Sequence, residues 1–237
     1  MGSITTVIFD VFGTLFPNRT DQWLETFREI CRIQQLPLEP EALWYEWKAL
    51  EVNFRQERIN LKYPEKSLPF KSYTEAWRDC FFTTFNKLEL IGDPEEAAAK
   101  AVEDMAKREP FEDTIESIRD IQKKWNTGVL SNADDAFLLP LIEKYRFKFQ
   151  VVLSSEGAHA YKPLPEAFNQ VLKKMGVANH ESIYVGDNPF DDILGAKLAG
   201  MKAVWINRKE VDYDTSLPQF DAEISSLREL SYTLECL

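Results

Sequence analysis

Histidine is nearly missing from this chain: His159 and His180 are the only two among 237 residues. So small a supply argues against a histidine-built metal cluster or an imidazole-based triad, and moves any chemistry onto carboxylates, lysine and hydroxyls. Cysteine is scarce too. Cys31, Cys80 and Cys236 are odd in number and widely spaced, so they suggest neither a disulfide framework nor paired metal ligands. They read as reduced packing thiols, which fits a cytoplasmic setting. No apolar run approaches the ~20 residues needed to span a bilayer. The N-terminus has no basic segment followed by an apolar one, so neither a secretory signal nor a membrane partner is expected. Positive charge is also short: 28 Lys and Arg stand against 39 Asp and Glu, a formal net charge of −11. That balance argues against nucleic acid or an anionic membrane as a partner. A small phosphorylated substrate stays open, because a lysine or a metal ion can make one site locally positive.

What is present is a globular composition, 44% apolar and 28% charged, long enough for one domain or a core with an insertion. The stretch Thr6-Val7-Ile8-Phe9-Asp10-Val11-Phe12-Gly13-Thr14-Leu15-Phe16 organises the rest. It begins as a β-branched apolar run, as a buried parallel strand does. It then stops at Asp10, where ligands of open α/β sheets sit, with Gly13 allowing a tight turn behind it. From about residue 20 to 108 strand signals almost vanish. Helices are expected from Gln22, capped by Asp21, to Gln34, from Glu41 to Arg58, from Ser72 to Leu88, and from Asp93-Pro94 onward. Beyond Pro110 helix and strand alternate, with strands expected at 127–130, 150–153, 182–185, 202–206 and 222–224. Strands separated by helices of this length imply a parallel, doubly wound (Rossmann-like) α/β sheet.

Three expected strand ends carry polar groups: Asp10 with Thr14, Ser131 with Asn132, and Asp187 with Asn188. Lys162 lies on a loop before a helix. A carboxylate among them can act as a nucleophile, splitting one hard displacement into two easier ones. Hydroxyl, amide and ammonium donors can hold a developing anion. A second carboxylate can share a hard cation such as Mg²⁺ with the first.

With these residues in this order, the chain resembles the haloacid dehalogenase (HAD) superfamily, in the subfamily whose helical cap is inserted after the first motif. Asp10-x-x-Gly13-Thr14 resembles the first motif, Leu130-Ser131-Asn132 the second, Lys162-Pro163 the third and Gly186-Asp187-x-x-x-x-Asp192 the fourth. The resemblance implies a core of residues 1–16 and 109–237 with a helical cap at 17–108. It implies Asp10 as nucleophile, with Thr14, Ser131, Asn132 and Lys162 around it and the transferred group. It also implies Mg²⁺ held by Asp10, the Phe12 backbone carbonyl and Asp187, with Gly13, Asn188, Asp191 and Asp192 in support. The expected partner is a small-molecule substrate, with the chain a monomer or a homodimer.

Two departures pull in opposite directions. HAD phosphatases usually carry a second Asp, a general acid/base, where this chain has Phe12. That group is worth about 10²–10⁴-fold, or about 3–5 kcal/mol of barrier. An aromatic residue there resembles the 2-haloacid dehalogenases, whose halide leaves without a proton. The fourth motif of those dehalogenases has serine in place of Asp187 and is one residue shorter before the Gly195-Ala196 match. Their substrate-binding cap arginine aligns with Glu46, while Arg55 and Arg58 are out of register. The expectation is therefore Mg²⁺-dependent hydrolysis of a small phosphorylated metabolite. Metal-independent 2-haloacid dehalogenation is the alternative, and a weakly active or non-catalytic HAD-fold binding protein the third reading.

Overall fold

A computed structural model describes residues 3–237. Contact density divides the chain into two compact units. The first comprises Met1–Pro17, Arg108–Asn132 and Ile142–Leu237; the second comprises Asn18–Lys107 and Ala133–Leu141.

The first unit is built on a six-stranded sheet with every pair parallel. Its strands are β1 (Thr6–Phe9), β2 (Asn126–Ser131), β3 (Val151–Ser154), β4 (Ser182–Gly186), β5 (Lys202–Ile206) and β6 (Ala222–Ile224). Their order is β3-β2-β1-β4-β5-β6, so the winding reverses between β1 and β4, where open α/β sheets bind ligands. Thr6 to Phe9 are all buried, which explains the absence of polar alternation. Phe9 is level with Val129 of β2 and Val185 of β4. Asp10, Ser131 and Asp187 thus leave the sheet side by side at one edge. Ile8, Leu130, Phe168, Tyr184 and Trp205 belong to one buried cluster under that edge.

The second unit contains α1 (Thr20–Ile33), α2 (Pro40–Glu57), α3 (Tyr73–Lys87) and α4 (Pro94–Met105). Asp21 lies inside the first turn of α1 rather than capping it, and the helix begins two residues earlier than expected. The cap of α4 is as expected: the Asp93 carboxylate accepts from the amides of Glu95 and Glu96, with Pro94 at the first helical position. Trp47 sits among Trp23, Phe27, Trp77 and Phe81, with ring centroids 5.2–6.2 Å apart. The aromatic stripes of these helices are therefore the core of the helical unit. Residues 133–141 join it for two visible reasons. The Asp134 carboxylate accepts from Tyr73 N (2.7 Å), Thr74 N (2.6 Å) and Thr74 Oγ1 (2.7 Å) at the start of α3. Phe137 stacks on Trp77 at 5.5 Å and 15°.

No helix among the described residues is long and apolar enough to cross a membrane. Cys31 and Cys80 are buried and Cys236 is exposed; burial raises the Cys31 thiol and pushes Cys80 up to about 12. Since the thiolate is the reactive form, one thiol should react rapidly with a chromogenic disulfide reagent in the native protein and three after denaturation. Rapid native reaction of a second thiol would contradict this burial.

Candidate active site

Asp10 is fixed by the neighbouring strand β4: its amide donates to Val185 O at 2.9 Å. Its buried carboxylate accepts at Oδ1 from Lys162 Nζ (2.7 Å) and Ser131 Oγ (3.2 Å). No hydrogen bond reaches Oδ2 among the described residues. The Lys162 ammonium, itself buried, donates also to Asp192 Oδ1 (2.5 Å) and Tyr184 Oη (2.8 Å). An ammonium has three protons, and each has one acceptor here. Tyr184 Oη in turn donates to Leu130 O at 2.6 Å. Burial alone would lower the Lys162 pKa, but Asp10 and Asp192 outweigh it and hold it well above the ordinary lysine value.

The other two carboxylates differ in their surroundings. Asp192 is buried; besides Lys162 it accepts from Asn188 N at Oδ2 (2.9 Å). Burial, with Asp10 beside it and Lys162 opposing, pushes it up to about 7. Asp187 is half-buried and its carboxylate accepts no hydrogen bond among the described residues. Desolvation, then Asp10 and Asp192, raise it well above the usual carboxylate range. Oxygens of Asp10, Asp187 and Asp192 lie within 4.8 Å of one another, three acids against one lysine. Such a set either keeps protons or takes a cation. All-oxygen anionic donors suit a hard dication such as Mg²⁺, and Asp187 with the Asp10 carboxylate beside it could hold one.

Glycine makes the approach possible. Gly13 has φ of +105°, and a Cβ there would overlap the Asp187 carboxylate. A Cβ on Gly186 would overlap that of Asp192. The four residues between Asp187 and Asp192 form part of a wide turn. Asn188 caps it by accepting from Phe190 N (2.9 Å) and Asp191 N (3.1 Å). Pro189–Leu194 then forms a π-helical turn, with Ile193 N reaching Asn188 O. A π-turn holds one more residue than an α-turn and recurs at functional sites; here it carries Asp192 back to Lys162.

The remaining expected residues are spread around this centre. Asn132 pairs with the Lys162 backbone, accepting from its N–H (2.8 Å) and donating to its C=O (3.1 Å), and donates to Asp191 Oδ2 (3.4 Å). It therefore places the lysine and forms no hydrogen bond with Asp10 among the described residues. Thr14 Oγ1 is buried with no hydrogen-bond partner among the described residues. Phe12 is half-buried, and its backbone forms an isolated bridge with Phe16. Tyr184 was not among the expected residues. Its signal was a phenol in a fully buried strand, which needs a partner for its hydroxyl.

A parallel sheet of this order, with an aspartate-centred cluster at its carboxyl edge, defines a Rossmann-like hydrolase core. The chain belongs to the haloacid dehalogenase-like hydrolase family, whose model matches residues 4–200. It is 24% identical over 217 residues, 90% of each chain, to haloacetate dehalogenase H-2 of Moraxella sp. (strain B). It is 27% identical over 243 residues, 96% of this chain and 95% of the other, to a glyceraldehyde 3-phosphate phosphatase of Methanopyrus kandleri. Its fold matches that of the HAD-hydrolase YfnB from Bacillus subtilis, solved with bound magnesium, at a TM-score of 0.79 and 18% identity over 98% of this chain and 99% of that one.

Proposed function

We propose that the chain is a Mg²⁺-dependent hydrolase of small phosphorylated substrates whose leaving group departs without a proton. The observation that carries this reading is Asp187, a carboxylate with no hydrogen-bond partner among the described residues, packed beside Asp10 and Asp192 with one lysine among them. Asp10 Oδ1 is held by Lys162 and Ser131, which leaves Oδ2 to attack phosphorus. The P–O bond to the leaving group breaks and its oxygen takes the electron pair. Water then attacks phosphorus, and the P–O bond to Asp10 breaks with its electron pair returning to the carboxylate. The released phosphate keeps one proton of the water and passes the other to the departed oxygen or to solvent. Ser131 and Thr14 supply hydroxyls near the transferred group, and Asn132 keeps Lys162 in place. The cation, held by Asp10 and Asp187 with the Phe12 carbonyl, would offset the charge of an anionic substrate. With Phe12 in place of an acid, poor leaving groups lose the ~10²–10⁴-fold that proton donation supplies.

A second reading, hydrolysis of the carbon–halogen bond of a 2-haloacid, is favoured by Phe12. It also draws more support from the comparisons. The haloacetate dehalogenase aligns over nine-tenths of both chains, and several dehalogenases share the fold. Its difficulty is charge: a haloacid is itself an anion, and three acids with one lysine repel it unless the acids hold protons.

The discriminating experiment pairs Asp187→Ser and Phe12→Asp with nitrophenyl phosphate, an alkyl phosphate and 2-chloropropionate, each with Mg²⁺ and with chelator. On the first reading phosphate release needs Mg²⁺, Asp187→Ser lowers it by about 10²-fold or more, and Phe12→Asp raises alkyl phosphate turnover by part of ~10²–10⁴-fold. Chloride release that ignores chelator and survives Asp187→Ser would replace it with the second. Silence on all three substrates would point to a binding protein.

A further inference from the structure

The segment Asp10–Phe16 folds back on itself. Gly13 N donates to Phe16 O (2.7 Å), and Leu15 N and Phe16 N donate to Val11 O (2.8 and 2.9 Å). Within it the Thr14 hydroxyl is buried with no partner among the described residues. A buried hydroxyl left unpaired is costly, so a loop free to shift would shift to pair it. Something outside the loop must hold it in place.

The holding groups come from distant parts of the same unit. Leu15 O accepts from Phe111 N (3.0 Å) and Thr114 Oγ1 (2.8 Å). Thr14 O accepts from Arg208, through Nη2 at 3.0 Å and Nε at 3.3 Å. Arg208 stands two residues past β5, at the same sheet edge as Asp10. Its fork is itself fixed: Nη1 and Nη2 each donate to Asp113 at 3.0 Å, and its Cζ lies 4.0 Å from the Phe111 ring centroid. Asp113 is tied down in turn by Ser226 Oγ (2.7 Å) and Leu227 N (2.9 Å). The arginine side chain is only 15% exposed.

We infer that Arg208 is a positioning residue: it grips the Thr14 carbonyl so that the Thr14 hydroxyl stays unpaired and aligned for the reacting group, and so that the turn behind Asp10 keeps its shape. The inference rests on Asp10 as the nucleophile and on no particular substrate. A planar guanidinium suits the task because its fixed fork meets the Asp113 carboxylate through two nitrogens while still donating to the Thr14 carbonyl, a geometry that the point charge of a lysine does not reproduce.

The test uses the full-length protein and two kinds of readout. In Arg208→Ala, hydrogen exchange of the peptide spanning residues 10–16 should accelerate by about tenfold or more, with β2 to β5 at wild-type protection. On whichever of nitrophenyl phosphate or 2-chloropropionate turns over, kcat should fall by about 10²-fold and KM change by less than about threefold, as for a misplaced reacting group. Millimolar methylguanidinium should restore both readouts in part, while Arg208→Lys should restore little. Asp113→Asn, which keeps hydrogen-bonding capacity toward Ser226 and Leu227, should show the same pattern more weakly and guards against misfolding of the alanine variant. Wild-type exchange over 10–16 in both variants would overturn the inference, as would faster exchange spread evenly over the whole unit. Absence of turnover on either substrate would count against the proposed function alone, because exchange and its rescue still decide the role of Arg208.

Discussion

Asp10→Asn is expected to remove turnover by on the order of 10⁴-fold or more while leaving thermal stability intact or improved. The amide cannot form the covalent intermediate, yet it keeps an oxygen that can accept from Lys162 and Ser131 at their present positions. It also takes one negative charge out of a cluster whose other acids, Asp187 and Asp192, are raised by Asp10. Relief of like-charge crowding offsets the loss of one partner for Lys162. In chelator the melting temperature should therefore stay level or rise by ~2–4 °C, the shift that about 1 kcal/mol gives in a chain of this size. The check is turnover beside a melting curve for both proteins. Retention of more than a few per cent of the rate would remove Asp10 from the role of nucleophile.

How much of this was legible in the sequence depends on how local each signal is. Asp10, Ser131 and Asp187 could be read because each closes an apolar run, and strands of one parallel sheet bring such ends together. The helical insertion was legible from its 3.6-residue stripes and from Asp93-Pro94. Asp192 was read only as a supporting residue, since an acid in a first turn usually answers the helix dipole. The π-turn over Pro189–Leu194, with the room left by Gly186, brings it to Lys162; no one-residue pattern announces that. Tyr184, Asp113 and Arg208 were missed for a related reason. Their partners are 22, 95 and 194 residues away, and distance in sequence hides a hydrogen bond that the sheet makes short. Residues 133–141 were missed as part of the helical unit because Asp134 caps a helix 60 and 61 residues earlier.

Lys162→Met should be the most damaging single change, because it strikes activity and stability together. The lysine is buried between Asp10 and Asp192, and removing one partner of a buried ion pair costs about 3–5 kcal/mol through the charge left behind. The loss should depend on pH in chelator, with a definite sign. Asp192 is pushed up to about 7 even beside Lys162, against roughly 3.9 in an unfolded chain. Between those values the folded protein holds more protons than the unfolded one, so stability falls as pH rises. Without the ammonium that opposes it, Asp192 rises further, and the fall steepens and extends to higher pH. Lys162→Met should thus be nearest to wild type at about pH 5 and farthest from it above about pH 8. A second substitution separates stability from chemistry. Lys162→Met with Asp192→Leu removes both charges of one pair, and replacing a buried pair by apolar residues is often neutral. The double variant should regain most of the lost melting temperature while remaining inactive, since Asp10 Oδ1 still lacks its ammonium donor. Recovery of turnover along with stability would mean that Lys162 only balances charge. A stability loss that does not change between pH 5 and 8 would mean that Asp192 does not carry the buried charge assigned to it.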